Sequence, residues 1–189
     1  MKNNINSLIR VTSALVLITY AILICIKQPG SFYDFIKLIP TSLGFSPIYG
    51  FVYIKWGWRI NYFIKMPRLK KEYEGVLNFD YNGKKGQKEI TIIIKQTLLD
   101  TNVTIKTDEM VSHSITSEIL EENGEHYLYY TYRTNPSSTF IKKNPSQIGT
   151  CRLLINNSDE LSGSYWTNRK TIGDLEFKNK KNDKSNNSD

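Results

Sequence analysis

Val11 to Ile26 (VTSALVLITYAILICI) is a run of sixteen residues with no charge, bounded by Arg10 and Lys27, and no other feature constrains this chain as much. With Leu8 and Ile9 it reaches the length, about 20 residues, that an α-helix needs to cross a hydrocarbon core. Lys2 and Arg10 would also suit the basic region of a secretory signal, but no small-x-small cleavage site follows Ile26. A second apolar stretch, Phe35 to Ile54 (FIKLIPTSLGFSPIYGFVYI), begins almost at once. Lys37 near its start can snorkel to the headgroups, and Pro40 and Pro47 are tolerated in membrane helices. Tyr53, Trp56 and Trp58 fall where an interfacial aromatic belt is expected. Residues 8–27 and 35–54 are therefore predicted to be two transmembrane helices forming an antiparallel hairpin, in preference to a buried globular hairpin.

Charge is distributed to match. Residues 1–71 hold ten Lys/Arg and a single acid, Asp34, whereas the remainder holds fifteen Lys/Arg against seventeen Asp/Glu. The net charge of +7 thus belongs to the N-terminal third, which excludes a uniformly basic binder of DNA or RNA polymers. Six of those bases (Lys55, Arg59, Lys65, Arg68, Lys70 and Lys71) form a basic juxtamembrane segment, 55–71. The positive-inside rule then predicts a multi-pass membrane protein with both termini cytoplasmic.

From residue 72 the periodicity becomes two. Eight strands are expected, at 73–80, 88–96, 102–107, 111–120, 126–133, 148–155, 161–167 and 171–178, with Asn82-Gly83 and Asn123-Gly124 among the turns. Short, evenly spaced strands without helices between them predict an up-and-down, lipocalin-like β-barrel over 72–178, since eight strands close around a filled or single-ligand interior. The fold class is thus a membrane-anchored all-β protein. Residues 179–189 (NKKNDKSNNSD) offer no apolar anchor and are expected to be disordered.

A meander sorts its loops into two ends. Segments 81–88, 108–110, 133–147 and 168–171 carry an excess of six positive charges, and the opposite loops an excess of six negative ones. Arg133 and Arg169 reach the basic end, where forked guanidinium donors suit phosphate. Strand five leaves open whether Arg133 faces in or out. Alternation sends Tyr165 into the barrel and Trp166 outward, and aromatic rings such as these and Tyr132 can stack on a nucleobase. Loop 134–147, with Lys142 and Lys143, is long for a hairpin and suits a lid.

Signs of catalysis are lacking. His113 and His126 have no metal-ligand spacing, and His113 shares its face with Val111 and Ile115, as a core histidine would. Cys25 lies in a predicted span and Cys151 among alternating apolar residues. No phosphate-binding lysine loop, dinucleotide fingerprint, zinc-protease motif or nucleophile elbow is present. The expectation is a non-enzyme without a metal or cofactor.

The barrel closes on Gly163-Ser164-Tyr165-Trp166-Thr167-Asn168-Arg169-Lys170-Thr171-Ile172-Gly173. With two short membrane helices ahead of it, this ending resembles the two-transmembrane, β-strand-rich effectors of bacterial cyclic-oligonucleotide anti-phage (CBASS) signalling, the CD-NTase-associated protein 15 type. The resemblance implies that the barrel binds a cyclic dinucleotide made by a partner CD-NTase. It also implies placement in the bacterial inner (cell) membrane, a homo-oligomer on activation, contact with membrane lipids, and membrane disruption that kills or arrests the infected cell. Tyr165, Thr167, Asn168, Arg169 and Thr171 map onto the motif as ligand-binding residues, and Arg133 joins them from the charge argument. The opening strand departs from the family pattern, with Leu77 where a Trp is expected two residues after Gly75. The competing reading is a membrane-tethered lipocalin-like carrier of a lipid or lipophilic small molecule. A third is a structural membrane protein whose barrel docks a partner.

Overall fold

The computed structural model describes residues 2–62, 64–81, 83–142 and 144–180, with the side chains of residues 2 and 3 left aside. Asn82, Lys143 and residues 181–189 of the expected tail lie outside the described residues, whereas Asn179, expected to begin that tail, ends the last strand. The chain divides into two compact units, residues 1–65 with 97–99, and residues 66–96 with 100–189.

The first unit is helical. Helix α1 runs Lys2–Lys27, α2 Phe32–Gly44 and α3 Ser46–Lys55, followed by a single 3₁₀ turn at Gly57–Ile60. Two segments, Asn4–Lys27 and Phe32–Lys55, are long and apolar enough to cross a membrane. Ser31 caps α2, its hydroxyl accepting from the Asp34 N–H. The second span is predicted as one helix but is interrupted at Phe45. Pro47, within the first turn of α3, has no N–H to continue the α2 ladder. Between helices the contacts are polar and small. Thr19 Oγ1 hydrogen-bonds Tyr49 Oη, Tyr20 Oη donates to the Phe35 carbonyl at 3.3 Å, and Gly50 faces Thr12. Such contacts hold helices together where the surroundings are as apolar as the side chains. The large aliphatics Leu17, Ile18 and Ile22 point outward. The expected aromatic belt is corrected. Trp56 is exposed, but Tyr53 and Trp58 are buried, the Tyr53 hydroxyl being held by Ser7 and Asn61.

The second unit is a closed antiparallel barrel of eight strands in sequence order. Its strands are β1 (Glu72–Tyr81), β2 (Lys84–Gln96), β3 (Thr101–Lys106), β4 (Met110–Glu122), β5 (Glu125–Pro136), β6 (Ile148–Asn157), β7 (Glu160–Thr167) and β8 (Ile172–Asn179). β1 pairs with both β2 and β8. Every second residue points inward, as in β2 (Ile90, Ile92, Ile94) and β6 (Gly149, Cys151, Leu153, Ile155). β4 breaks this rhythm. A bulge between Ser114 and Thr116 inverts its phase, so Ser112 is buried while His113 and Ile115 face solvent. His113 is therefore not the core histidine expected; its ring meets Thr104 Oγ1 on the outside.

One end of the barrel is plugged. Leu69 joins the core ahead of β1, its N–H donating to Gln96 Oε1, and Gln96 Nε2 donates to the Pro67 carbonyl. Tyr73 is fully buried beside it. Its hydroxyl accepts from the Lys70 N–H and donates to the Ser158 carbonyl.

Toward the other end the interior is lined by rings paired with glycines. Register places Phe79 opposite Gly86, Tyr132 opposite Gly149 and Tyr165 opposite Gly173, and, nearer the plug, Phe177 opposite Gly75. A Cβ on any of these glycines would overlap the facing ring. Each ring reaches across to the neighbouring strand over its glycine, and the upper barrel is left hollow.

Candidate functional site

The hollow is a cavity of about 360 Å³, at the lower end of the about 300–1,000 Å³ typical of small-molecule sites. Phe79, Tyr132 and Tyr165 supply its aromatic walls, with Leu77, Ile105 and Leu175 as aliphatic lining. A larger depression of about 1220 Å³ lies across the outer wall, but its acids, among them Glu74, Glu89 and Glu176, outnumber its bases. It does not suit an anion.

The loop between β7 and β8 brings cationic chemistry to the cavity mouth. Thr167 is buried, and its Oγ1 accepts from the N–H groups of Arg169 and Thr171, each at 3.3 Å. The Thr167 N–H donates to the Thr171 carbonyl, and Lys170 adopts a left-handed φ of 60° to close the turn. Asn168 clamps this turn to β6, donating its N–H to the Ile148 carbonyl and accepting the Ile148 N–H on Oδ1. Two of the five motif residues thus shape the loop through backbone bonds, while Tyr165, Arg169 and Thr171 line the cavity. Arg169 reaches over the Tyr81 ring, with its guanidinium carbon 5.4 Å from the centroid. Its terminal nitrogens approach Tyr81 Oη and Asn144 Oδ1 only loosely, both at 3.4 Å. Long, neutral partners leave most of its donor capacity for a ligand.

Arg133 is not brought to the site. It alternates with the buried Tyr132 and Thr134 and projects from the outer wall, opposite Ile148 and His113. The ambiguous phase of strand five resolves outward because Tyr130 and Tyr132 claim the interior. Lys142 is exposed and does not line the cavity either. The expected basic mouth is accordingly less charged than the loop count implies. Lys88 and Arg169 face the lumen against Glu109, which pairs with Lys88 at 2.5 Å.

Spacing alone did not reveal Tyr81, Lys88, Asn144 and Gln147 as lining residues. β5 extends to Pro136, so the connection is 137–147, shorter than expected. It is tied down rather than free: the Ser137 N–H donates to the Glu109 carbonyl, and Asn144 Nδ2 donates to Glu109 Oε2. At its end the Gln147 N–H donates to Thr134 Oγ1, and Thr134 N–H returns to the Gln147 carbonyl. This double tie turns the Gln147 side chain into the cavity. Asparagine and glutamine in a loop read as solvent-facing from sequence; only the tie shows otherwise.

Titration in the lumen is dominated by burial. Desolvation raises the Tyr165 phenol to about 12 and the Cys151 thiol to about 12, and pushes the Tyr130 and Tyr132 phenols well above their ordinary range, with Cys151 adding to each phenol. All four stay protonated and neutral at physiological pH. Two polar atoms in the wall, Tyr130 Oη and Gln147 Oε1, are buried without a hydrogen-bond partner among the described residues beyond the Cys151 thiol beside Tyr130. Each such group costs about 1–3 kcal/mol.

A family model described as the Cap15 cyclic dinucleotide receptor domain matches residues 64–179. Over 182 residues the chain is 39% identical to CD-NTase-associated protein 15 of Staphylococcus schleiferi, an alignment covering 94% of this chain and 98% of that one.

Proposed function

The chain belongs to the CD-NTase-associated protein 15 family, and from that premise we propose that it is a CBASS effector whose barrel binds a cyclic dinucleotide made by a partner CD-NTase. Binding drives oligomerisation and disrupts the inner membrane, killing or arresting the infected cell. The barrel and both termini are cytoplasmic in this reading, where the signal is made, and the two apolar spans act on lipid. The chain works as a receptor, not as an enzyme. Arg169, Tyr165 and Thr171 touch the ligand, and Thr167 and Asn168 hold the loop that presents them.

One observation carries the reading: the hollow end of the barrel combines aromatic walls with an under-used arginine at its mouth. Aromatic walls suit bases, and a guanidinium fork suits phosphate oxygens. Purified full-length protein in detergent, titrated with a panel of cyclic dinucleotides and with a fatty acid, tests it. A cyclic dinucleotide should bind, and Arg169→Ala should weaken it by about ten-fold or more, because hydrogen bonds to charged groups contribute roughly 1.5–3 kcal/mol. Glu121→Ala, on an outward position, should change nothing. Binding of the fatty acid alone would replace this reading with the lipid-carrier one.

A further inference from the structure

We propose that the cavity takes one base of the ligand and reads its hydrogen-bonding edge with Gln147 and Tyr130, so that the receptor discriminates base identity at one of the ligand's two positions. The inference rests on the cyclic dinucleotide reading and deepens it.

Unused polar atoms define what the cavity lacks. Among the described residues Gln147 Oε1 is an acceptor with no donor, and Tyr130 Oη, on a residue only 2% exposed, has no partner beyond the Cys151 thiol. The Cys151 thiol is the polar neighbour of that hydroxyl, and burial keeps it protonated, a poor partner. Both orphaned atoms belong to residues that line the same cavity. Buried polar groups without partners are rare in folded proteins and call for a reason; a ligand bearing the complementary groups supplies one. The complement is a planar group offering an N–H donor beside a carbonyl or ring-nitrogen acceptor, which is how a nucleobase presents itself.

Charge divides the ligand in the same way. Within the lumen the cations are Lys88, already paired with Glu109, and Arg169 at the mouth. Phosphates are therefore met at the mouth, and the neutral lumen around Tyr130, Tyr132 and Tyr165 receives an uncharged, flat group. Volume points the same way. A cavity of about 360 Å³ is at the small end for a drug-sized ligand, too small to enclose a molecule with two nucleosides and two phosphates. One base goes in; the other remains outside, where no buried unpartnered polar atom among the described residues reads it.

The test uses the full-length protein in detergent and cyclic dinucleotides carrying guanine, adenine or uracil in all pairings. Tyr130→Phe and Gln147→Leu keep volume and remove the orphaned atoms, so neither should lower the melting temperature. The parent should prefer ligands containing one base, and each variant should shrink the ratio between best and worst ligand by about ten-fold, the scale of one lost directed contact. Affinity for the worst ligand should change little. Arg169→Ala should instead weaken all ligands together. Equal losses across the panel in both lumen variants, or an unchanged ratio, would overturn the base-reading inference while leaving the receptor reading intact. A parent that binds no cyclic dinucleotide would refute the receptor reading itself.

Discussion

Replacing Gly86 by alanine should shut the cavity without unfolding the barrel. A methyl group at this position would overlap the tip of the Phe79 ring, with Cε1 and Cε2 at 2.9 and 3.1 Å, and the nearest atoms are all side chain. The ring must move, and the hollow it borders is where it has room. An added methylene in a full core costs about 1–3 kcal/mol; here empty space keeps the figure near the lower bound. Replacing a strand glycine returns about 0.5–1 kcal/mol through the unfolded chain. The net change in stability should therefore lie within about 1 kcal/mol. Affinity for a cyclic dinucleotide should nonetheless fall by about ten-fold or more, because the ring occupies the space of the base, and ten-fold corresponds to about 1.4 kcal/mol. Gly163→Ala is the contrast. There the obstacles are the Arg152 carbonyl and the Leu153 Cα, backbone of the adjacent strand β6, so the β6–β7 ladder must open and the loss should exceed about 3 kcal/mol. Thermal melts and calorimetric titration of full-length protein in detergent separate the two. Phe79→Leu in the Gly86→Ala background should restore binding. If Gly86→Ala binds as tightly as the parent, or melts like Gly163→Ala, the idea that rings seated over glycines keep the lumen open is wrong.

Alkaline pH should destabilise the barrel from about pH 9 upward. The Cys151 thiol rises from 9.0 to about 12 and Tyr165 from 10.0 to about 12 on folding, so above their unfolded values the native state holds more protons than the unfolded one. That stability is complete below pH 9 and is lost as pH climbs toward 12; Cys151→Ala should delay the onset to about pH 10, and a melting temperature flat from pH 8.5 to 11 would refute this. At the plugged end, Tyr73→Phe removes one accepted and one donated hydrogen bond and should lower stability by about 1–3 kcal/mol with ligand affinity unchanged, as read by melting and titration. An affinity loss there would mean the plug and the cavity are coupled.

Periodicity carried the sequence reading a long way. Alternation in segments such as CRLLI of β6 gives all eight strands, with ends within four residues of those observed, because a strand with one wet face and one packed face has little freedom of phase. The bulge in β4 was illegible: one extra residue at Ile115 turns His113 outward, and no local propensity marks it. Arg133 was misplaced for a related reason, since two tyrosines in a row of four aromatics compete for the interior and sequence does not rank them. The cavity itself was hidden more deeply. It depends on glycines lying opposite rings across strands, and that is a matter of register, which single-strand patterns do not contain. Proline at position 47 was visible, but whether a helix bends or breaks there depends on the bonds around Phe45.

Because β1 bonds to β8 as well as to β2, the hydrogen-bonded ladder of this unit has no beginning and no end. Open sheets grow by donating spare backbone groups to the next molecule, which templates fibres and strand exchange. Here closure leaves no edge strand, and among the described residues the long stretches that lack a strand partner on one side are those beside the short β3, residues 84–90 of β2 and 114–122 of β4. Outside those two stretches neighbouring copies would meet through side chains, so an assembly of them would be written in particular residues. Single substitutions would then be enough to break it.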